Sequence, residues 1–455
     1  MKFFSAITLS LYLVVPAFAT EHHRHLRQQG DNNGLAVGRP EEGEHPGIGA
    51  GGGPNFLEGD DLPPGLVDNP SGVVGVDFKP GRKPKVQRNP NWSNGKSQVR
   101  GVDNTIFELD LGVAERINVY SPEQFKESDD GTFVTNIETG EMFPLTVFFQ
   151  SDEKNGMDIT FATEEDGTVF NIRAKPKTVN GGEDQANGAK IQNFQTIPGT
   201  KMLAAYVDDD LDLSKAPSFG EHVNPDLEKP LPSAFKEKLN EGGGGRRTLM
   251  DAPTNEKQGE EDPRDTTRRT QATYPITLFG KTCTSWDYLD VRIATDRRFA
   301  NTYSSHQSRA QAIFAEAAEI YWNESCVRLY MWSYSHTNGN SAWDYKIPFL
   351  GLQLPWDDFI SGMPSGCTDD YGGLDFMRAI AKGNFGGYYR DAWHMFTGTS
   401  FTDGNTVGCA WINVCKSEDK GYGVNAMTWT TSLRFQAGTL ASSVWSLAVI
   451  QASKS

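Results

Sequence analysis

The chain has 455 residues, of which 37% are hydrophobic, and a formal net charge of −16. This length suits two or three domains of ordinary size, and the mixed composition excludes a collagen, a coiled coil and a wholly disordered chain. Phosphate binding needs clustered Lys and Arg, so the negative charge argues against a nucleic-acid partner.

The first nineteen residues predict a signal peptide. Lys2 provides a positive start, residues 3–15 are almost all apolar, and Ala17 and Ala19 mark a small-x-small cleavage site. The apolar run is too short for an ordinary membrane span, and no later run is long enough. We therefore expect a secreted protein with no membrane span. In an oxidising compartment the five cysteines predict disulfides, and their odd number leaves one over.

The N-terminal region predicts two kinds of structure. Residues 20–100 are rich in Gly, Pro and charged side chains, and this composition predicts disorder. Residues 100–215 contain short apolar runs separated by turn signals such as Asn155-Gly156, which predict a β-rich domain. The acidic run 208–210 suits a solvated face better than a calcium site.

Residues 216–272 have the composition of a disordered linker. They contain the tract Gly242–Gly245 and two dibasic pairs, which are Arg246-Arg247 and Arg268-Arg269. A dibasic pair in an exposed linker suits a processing protease, because the chain can enter an active site without unfolding a domain. The alternative, two solvated pairs without a role in processing, stays open.

Residues 273–455 alternate between strand and helix patterns, which predicts an α/β sandwich with one long crossover. All five cysteines and nine of the ten tryptophans lie in this part of the chain, so it should hold the main core. The predicted strands are 288–294, 326–332, 393–396, 406–414 and 422–428, and the predicted helices are 307–322, 373–382 and 435–451.

Several stretches in this part resemble the catalytic domain of reprolysin-type zinc metalloproteinases, the metzincin relatives of the ADAM proteases. They are His394–Gly398, Gly404–Trp411, Cys415 and Tyr422–Val424, within a match over about Tyr288–Ala441. The resemblance implies a secreted zymogen with a metzincin-like catalytic sandwich, in which helices pack on a mixed sheet. The β-rich domain would be its propeptide, and the dibasic linker would be the release site.

The resemblance also implies a substrate-binding edge strand. Its residues would be Thr406, Val407, Gly408, Cys409, Ala410 and Trp411. Such a strand offers backbone N–H and C=O groups to an extended peptide, and side-chain pockets then select the sequence. The expected partners are therefore an extended peptide or protein and a processing protease.

The catalytic motif of the family is absent from this chain. Members of the family carry H-E-x-x-H-x-x-G-x-x-H, which binds zinc and supplies the general base. The three His positions are occupied by Ser442, Ser446 and Ala452, the Glu position by Ser443 and the Gly position by Val449. We therefore predict that this chain binds no zinc and is inactive, although zinc is the cofactor of the family.

Two explanations for the missing motif stay open. Either the sequence after Ala441 comes from a wrong gene model, or the protein is a pseudo-protease that binds peptides or proteins without cutting them. A glycan-binding module is a further alternative, because the Trp-rich stretch Trp332–Trp356 could stack on sugars. His394, beside Trp393 in a predicted strand, is expected to be structural rather than catalytic.

Overall fold

The computed structural model describes most of both halves of the chain. The described residues are 54–58, 62–63, 65–66, 69–177, 190–216, 275–338, 343–346, 353–356, 373–374, 376–378, 380, 392–401, 406–410 and 421–448. The predicted signal peptide and the predicted dibasic linker lie outside them.

The N-terminal half is built from strands, as its turn signals predicted. The strands are β1 (Phe56–Leu57), β2 (Lys85–Arg88), β3 (Lys96–Arg100), β4 (Ile106–Asp110), β5 (Glu115–Arg116), β6 (Phe125–Glu127), β7 (Phe133–Asn136), β8 (Met142–Pro144), β9 (Val147–Asp152), β10 (Met157–Thr163), β11 (Val169–Pro176), β12 (Gln192–Thr196) and β13 (Met202–Val207). Eight of them form one antiparallel sheet in the order β1-β2-β13-β12-β11-β10-β9-β5. The pair β3-β4 and the triplet β6-β7-β8 form two smaller sheets.

The prediction of disorder for residues 20–100 is wrong for residues 70–100. This segment contains a 3₁₀ turn at Pro70–Val73 and the strands β2 and β3. The physical reason is that its polar side chains find partners within the fold. Gln87, almost fully buried, donates its side-chain amide to the Arg100 carbonyl at 2.8 Å and accepts from the Arg100 N–H at 2.9 Å.

The C-terminal half has a mixed sheet with helices. Its strands are β14 (Ile276–Leu278), β15 (Lys281–Cys283), β16 (Asp287–Thr295), β17 (Val327–His336), β18 (Asp344–Lys346), β19 (Gln353–Pro355), β20 (Ala392–Thr397), β21 (Gly408–Ala410) and β22 (Tyr422–Ala426). Three of its described helices are α1 (Arg297–Thr302), α2 (His306–Ser325) and α3 (Leu433–Ala448), and the described residues between 373 and 380 are helical as well. The main sheet has the order β17-β16-β20-β22-β21, in which only β21 is antiparallel to its neighbour. The broad α/β class is therefore confirmed.

Local interactions determine where the main helix ends. The predicted helix 307–322 is α2, and it ends at Cys326, which has left-handed backbone angles and returns its N–H to the Trp322 carbonyl. A disulfide joins Cys326 to Cys283 and so attaches the end of α2 to β15. Cys409 is also disulfide-bonded.

Helix α2 lies between two sheets. On one side α2 and α3 pack on the main sheet, where Val291, Ile293 and Phe396 meet the helices. On the other side α2 packs on the β-rich half, so its residues are buried all around from Ser308 to Glu319. The opposite face of the main sheet has its own aromatic cluster around Trp343, Trp356 and Trp393.

Candidate functional site

The predicted edge strand lies at one end of the main sheet. Its central part forms β21, which pairs with β22 through Gly408–Asn425, Cys409–Val424 and Ala410–Gly423. Among the described strands, none pairs with its other side. Val407 and the three residues of β21 are nevertheless buried, Thr406 is half-buried, and Trp411 lies outside the described residues. A peptide that adds to this edge must therefore displace the atoms that now cover it.

Strand β21 lies directly against α3. A Cβ atom at Gly408 would be 2.5 Å from the Asn425 Oδ1 atom and 2.9 Å from the Thr439 Cγ2 atom. A side chain at this position would have to displace the buried side chains of Asn425 and Thr439, so glycine allows β21 to lie close to α3. The predicted edge strand and helix α3, to which the resemblance would assign the zinc motif, are thus neighbours in space.

The positions that the resemblance would assign to the zinc motif begin in the second half of α3. Ser442 is half-buried, and Ser443 is buried and donates from Oγ to the Asn425 Oδ1 atom at 2.7 Å. Ser446 is also in α3, but its side chain lies outside the described set, as do Val449 and Ala452. The Ser443 hydroxyl, to which the resemblance would assign the general-base position, therefore makes a buried structural hydrogen bond.

A short polar chain runs from Ser443 through Asn425 to His394. The Asn425 side-chain nitrogen lies 3.2 Å from His394 Nδ1, so the amide donates to Nδ1 and the ring proton is assigned to Nε2. His394 is fully buried, and its Nε2 atom has no hydrogen-bond partner among the described residues. Its ring lies over the neighbouring strand, where a Cβ at Gly423 would be 2.3 Å from Cε1.

This polar chain has the chemistry of a packing motif rather than of a catalytic relay. Burial lowers the pKa of His394 to about 3, so the imidazole stays neutral at neutral pH and is a weak base. The Ser443 hydroxyl points its proton at an amide oxygen rather than at the imidazole. A nucleophile needs a base within hydrogen-bond reach, and this arrangement does not provide one. The prediction that His394 is structural agrees with this geometry.

The acidic run 208–210 is used in ion pairs. Asp208 lies 3.1 Å from Arg434 of α3, and Asp210 lies 3.5 Å from Arg82. Within the described parts of the chain, no three His, Cys, Asp or Glu side chains form a group that could hold a metal ion. Asn425 is the one site residue that sequence reasoning missed, and the available signal was a polar side chain within the apolar strand pattern Tyr422–Ala426.

The tryptophans proposed for sugar stacking are core residues. Trp332, Trp343 and Trp356 are 4%, 2% and 1% exposed. Trp332 and Trp343 line part of a cavity of about 210 Å³ between β17 and the β7–β8 hairpin. Sugar recognition by stacking needs an open ring face, and these rings offer very little. The described geometry therefore gives the glycan-binding alternative no support.

The remaining predicted site residues lie outside the described residues. These are the dibasic pairs at Arg246-Arg247 and Arg268-Arg269. In the described part of the chain, no helix combines the length and the apolar character needed to cross a membrane.

The fold and the candidate site define an α/β protein whose mixed sheet ends in an antiparallel strand beside α3. Comparison with known protein families finds no family model that matches the chain. Comparison with curated protein sequences likewise finds no match.

Proposed function

We propose that the C-terminal half is a reprolysin-type, metzincin-like protease scaffold in a secreted protein, and that this chain holds an extended peptide without hydrolysing it. The mixed sheet, the antiparallel end strand and the adjoining helix support the scaffold. The resemblance of His394–Ala441 to the family supplies the link from scaffold to function.

One observation supports the proposal that this chain does not catalyse hydrolysis. Ser443 occupies the general-base position, is buried, and donates its hydroxyl proton to Asn425. A serine hydroxyl does not take a proton from water near neutral pH, and serines at the His positions are poor zinc ligands. We therefore expect helix α3 to have a structural rather than a catalytic role in this chain.

The peptide would bind by adding a strand to β21. Main-chain hydrogen bonds to the side of β21 opposite β22, with which no described strand pairs, would give affinity, and the covering atoms would have to move first. Because part of the interaction energy is then needed for this movement, we expect micromolar rather than nanomolar affinity.

The test is a direct comparison of binding with cleavage by the purified full-length chain. We expect less than 0.1 equivalent of zinc by elemental analysis and no cleavage of a fluorogenic peptide library. We expect a displayed random-peptide library to yield binders that lose affinity when their backbone nitrogens are N-methylated, while their side chains are kept. Stoichiometric zinc with chelator-sensitive cleavage would overturn the non-catalytic assignment, and a library without binders would overturn the peptide-binding assignment.

A second candidate is an active zinc metalloendopeptidase encoded by the same gene. It is favoured by the simultaneous departure of all five motif positions directly after Ala441. Full-length transcripts across the codons for residues 436–455 decide the matter. Reads that continue into His-Glu-x-x-His support the active enzyme, and reads that all end as this chain does support the non-catalytic protein.

A further inference from the structure

We infer that the β-rich half, residues 69–216, is a permanent non-covalent partner of residues 275–448 and stays bound after the connecting segment is cut. The family resemblance implies a propeptide that leaves, whereas the contacts between the halves have the character of a shared interior. The inference is independent of whether the chain cleaves peptides.

The two halves share one hydrophobic core. The same cluster contains Val119, Phe143 and Leu145 from the β-rich half and Ile313 and Phe314 from α2. All five side chains are buried. An apolar interface that resembles a domain core cut in half is typical of obligate partners rather than of transient ones.

Backbone hydrogen bonds also join the two halves. The Met331 N–H of β17 donates to the Val119 carbonyl at 2.7 Å, and the Ser121 N–H donates to the Met331 carbonyl at 3.1 Å. Tyr120 and Met331 form a parallel bridge, so the β-rich half pairs with the outer side of β17. Among the described strands none pairs with this side of β17, so without this segment it would be an edge of the main sheet that no described strand protects.

The β-rich half supplies the hydrogen-bond partners of the Gln311 side chain in α2. Its side-chain oxygen accepts from the Thr146 N–H and from the Thr146 hydroxyl, both at 2.8 Å. Its side-chain nitrogen donates to the Pro144 carbonyl at 3.1 Å and to the Tyr120 hydroxyl at 3.3 Å. Removal of the β-rich half would leave a polar side chain on an apolar helix face without these partners.

Two buried acidic residues of α2 find their countercharges across the boundary. Arg173 lies 3.0 Å from Glu316, and Lys175 contacts Glu319, with both carboxylates almost fully buried. Burial acts to raise the pKa of Glu319, but the charges of Lys175 and Arg173 outweigh it, so the pKa is lowered and Glu319 is ionised. Loss of one partner of a buried ion pair leaves an uncompensated charge, which costs far more than an exposed pair gains.

The experiment uses the full-length chain with a site for a specific protease inserted between residues 217 and 274. After purification and complete cleavage, we expect both fragments to co-elute in size-exclusion chromatography at native pH. They should separate only in denaturant. Fragments that separate without denaturant, with the C-terminal fragment still folded by circular dichroism, would overturn the inference.

A charge variant tests the interface itself. In the cleaved protein, Lys175→Met should weaken association at least about 100-fold, because Glu319 loses its partner. The double variant Lys175→Met/Glu319→Leu should restore association, since no buried charge is then unpaired. Glu153→Gln is the matched control, because it alters an exposed pair with Lys177 within the β-rich half. Equal association of Lys175→Met and the control would contradict the proposed role of the ion pair, and failure of the double variant to restore association would contradict it as well.

Discussion

A buried neutral histidine is the clearest residue-scale feature of the candidate site. His394 is fully buried beside Asn425 of β22, and burial lowers its pKa to about 3. Its ordinary pKa in an unfolded chain is about 6.5. Between these values the unfolded chain binds one more proton at this residue than the folded chain does.

This difference predicts acid sensitivity. As the pH falls from about 6.5 towards 3, the unfolded state gains protons, so His394 lowers the free energy of unfolding by up to about 1.4 kcal/mol per pH unit. Denaturant titrations at several pH values should give a flatter profile for His394→Gln than for the natural chain. Parallel profiles, or a His394 NMR signal that titrates between pH 8 and 5, would contradict this.

Replacement of two glycines by alanine should change the stability of the protein in opposite directions. A Cβ at Gly398 would be 2.3 Å from the Arg298 carbonyl carbon and 2.4 Å from the Phe299 nitrogen, so backbone would have to move. Gly438 lies within α3 with open space around its Cβ position. Thermal and denaturant unfolding should show Gly398→Ala destabilised by about 1–3 kcal/mol. Gly438→Ala should be stabilised by about 0.5–1 kcal/mol. The same sign for both would refute the packing described here.

The sequence predicts the site's chemical character better than its contacts. The departure from the family motif that the resemblance implies is visible in the residue types at 442–452, and a structural role for His394 is predicted from its strand setting. The bond from Ser443 to Asn425 is not visible, because it joins a helix and a strand whose relative position depends on packing.

At the scale of elements, the main feature is the disulfide that attaches the end of α2 to β15. The Cys283–Cys326 disulfide closes a loop with a sequence separation of 43 and joins β15 to the end of the helix. A cross-link over such a loop removes conformational entropy from the unfolded chain, worth about 4 kcal/mol in the chain-entropy treatment.

Removal of this cross-link should therefore destabilise the protein. The double variant Cys283→Ser/Cys326→Ser should lose about 3–4 kcal/mol in denaturant unfolding, and it keeps a similar small side chain at the left-handed position 326. Reduction of the natural protein also breaks the disulfide of Cys409, so it should produce a loss at least as large. A stability unchanged within 1 kcal/mol would contradict the proposed contribution.

Helix α2 also shows where sequence patterns mislead. Its apolar stripe predicted a helix over 307–322, and the helix is present. Gln311, Glu316 and Glu319 lie outside that apolar stripe, yet all three are buried, because the β-rich half brings matching polar groups to them. The error over residues 70–100 has the same origin, since composition does not report partners that are distant in sequence.

At the scale of the whole molecule, the shared core predicts cooperative unfolding. Amides of β11 in the β-rich half and of α2 and β17 in the C-terminal half should exchange with one common opening free energy. Native-state hydrogen exchange at increasing denaturant, read by mass spectrometry, measures this. A C-terminal half that opens at much lower denaturant than the β-rich half would show that the halves are independent.

The position of α2 between two sheets also has a consequence for protein synthesis. The described part of the β-rich half ends at residue 216, but α2 is complete only at residue 325. At about 5–20 residues per second, the ribosome needs roughly 5–20 s to supply the missing helix. During that interval the apolar face around Val119 and Phe143 has no native cover. Yield in a heterologous host should therefore depend on elongation speed and on chaperones that bind nascent chains.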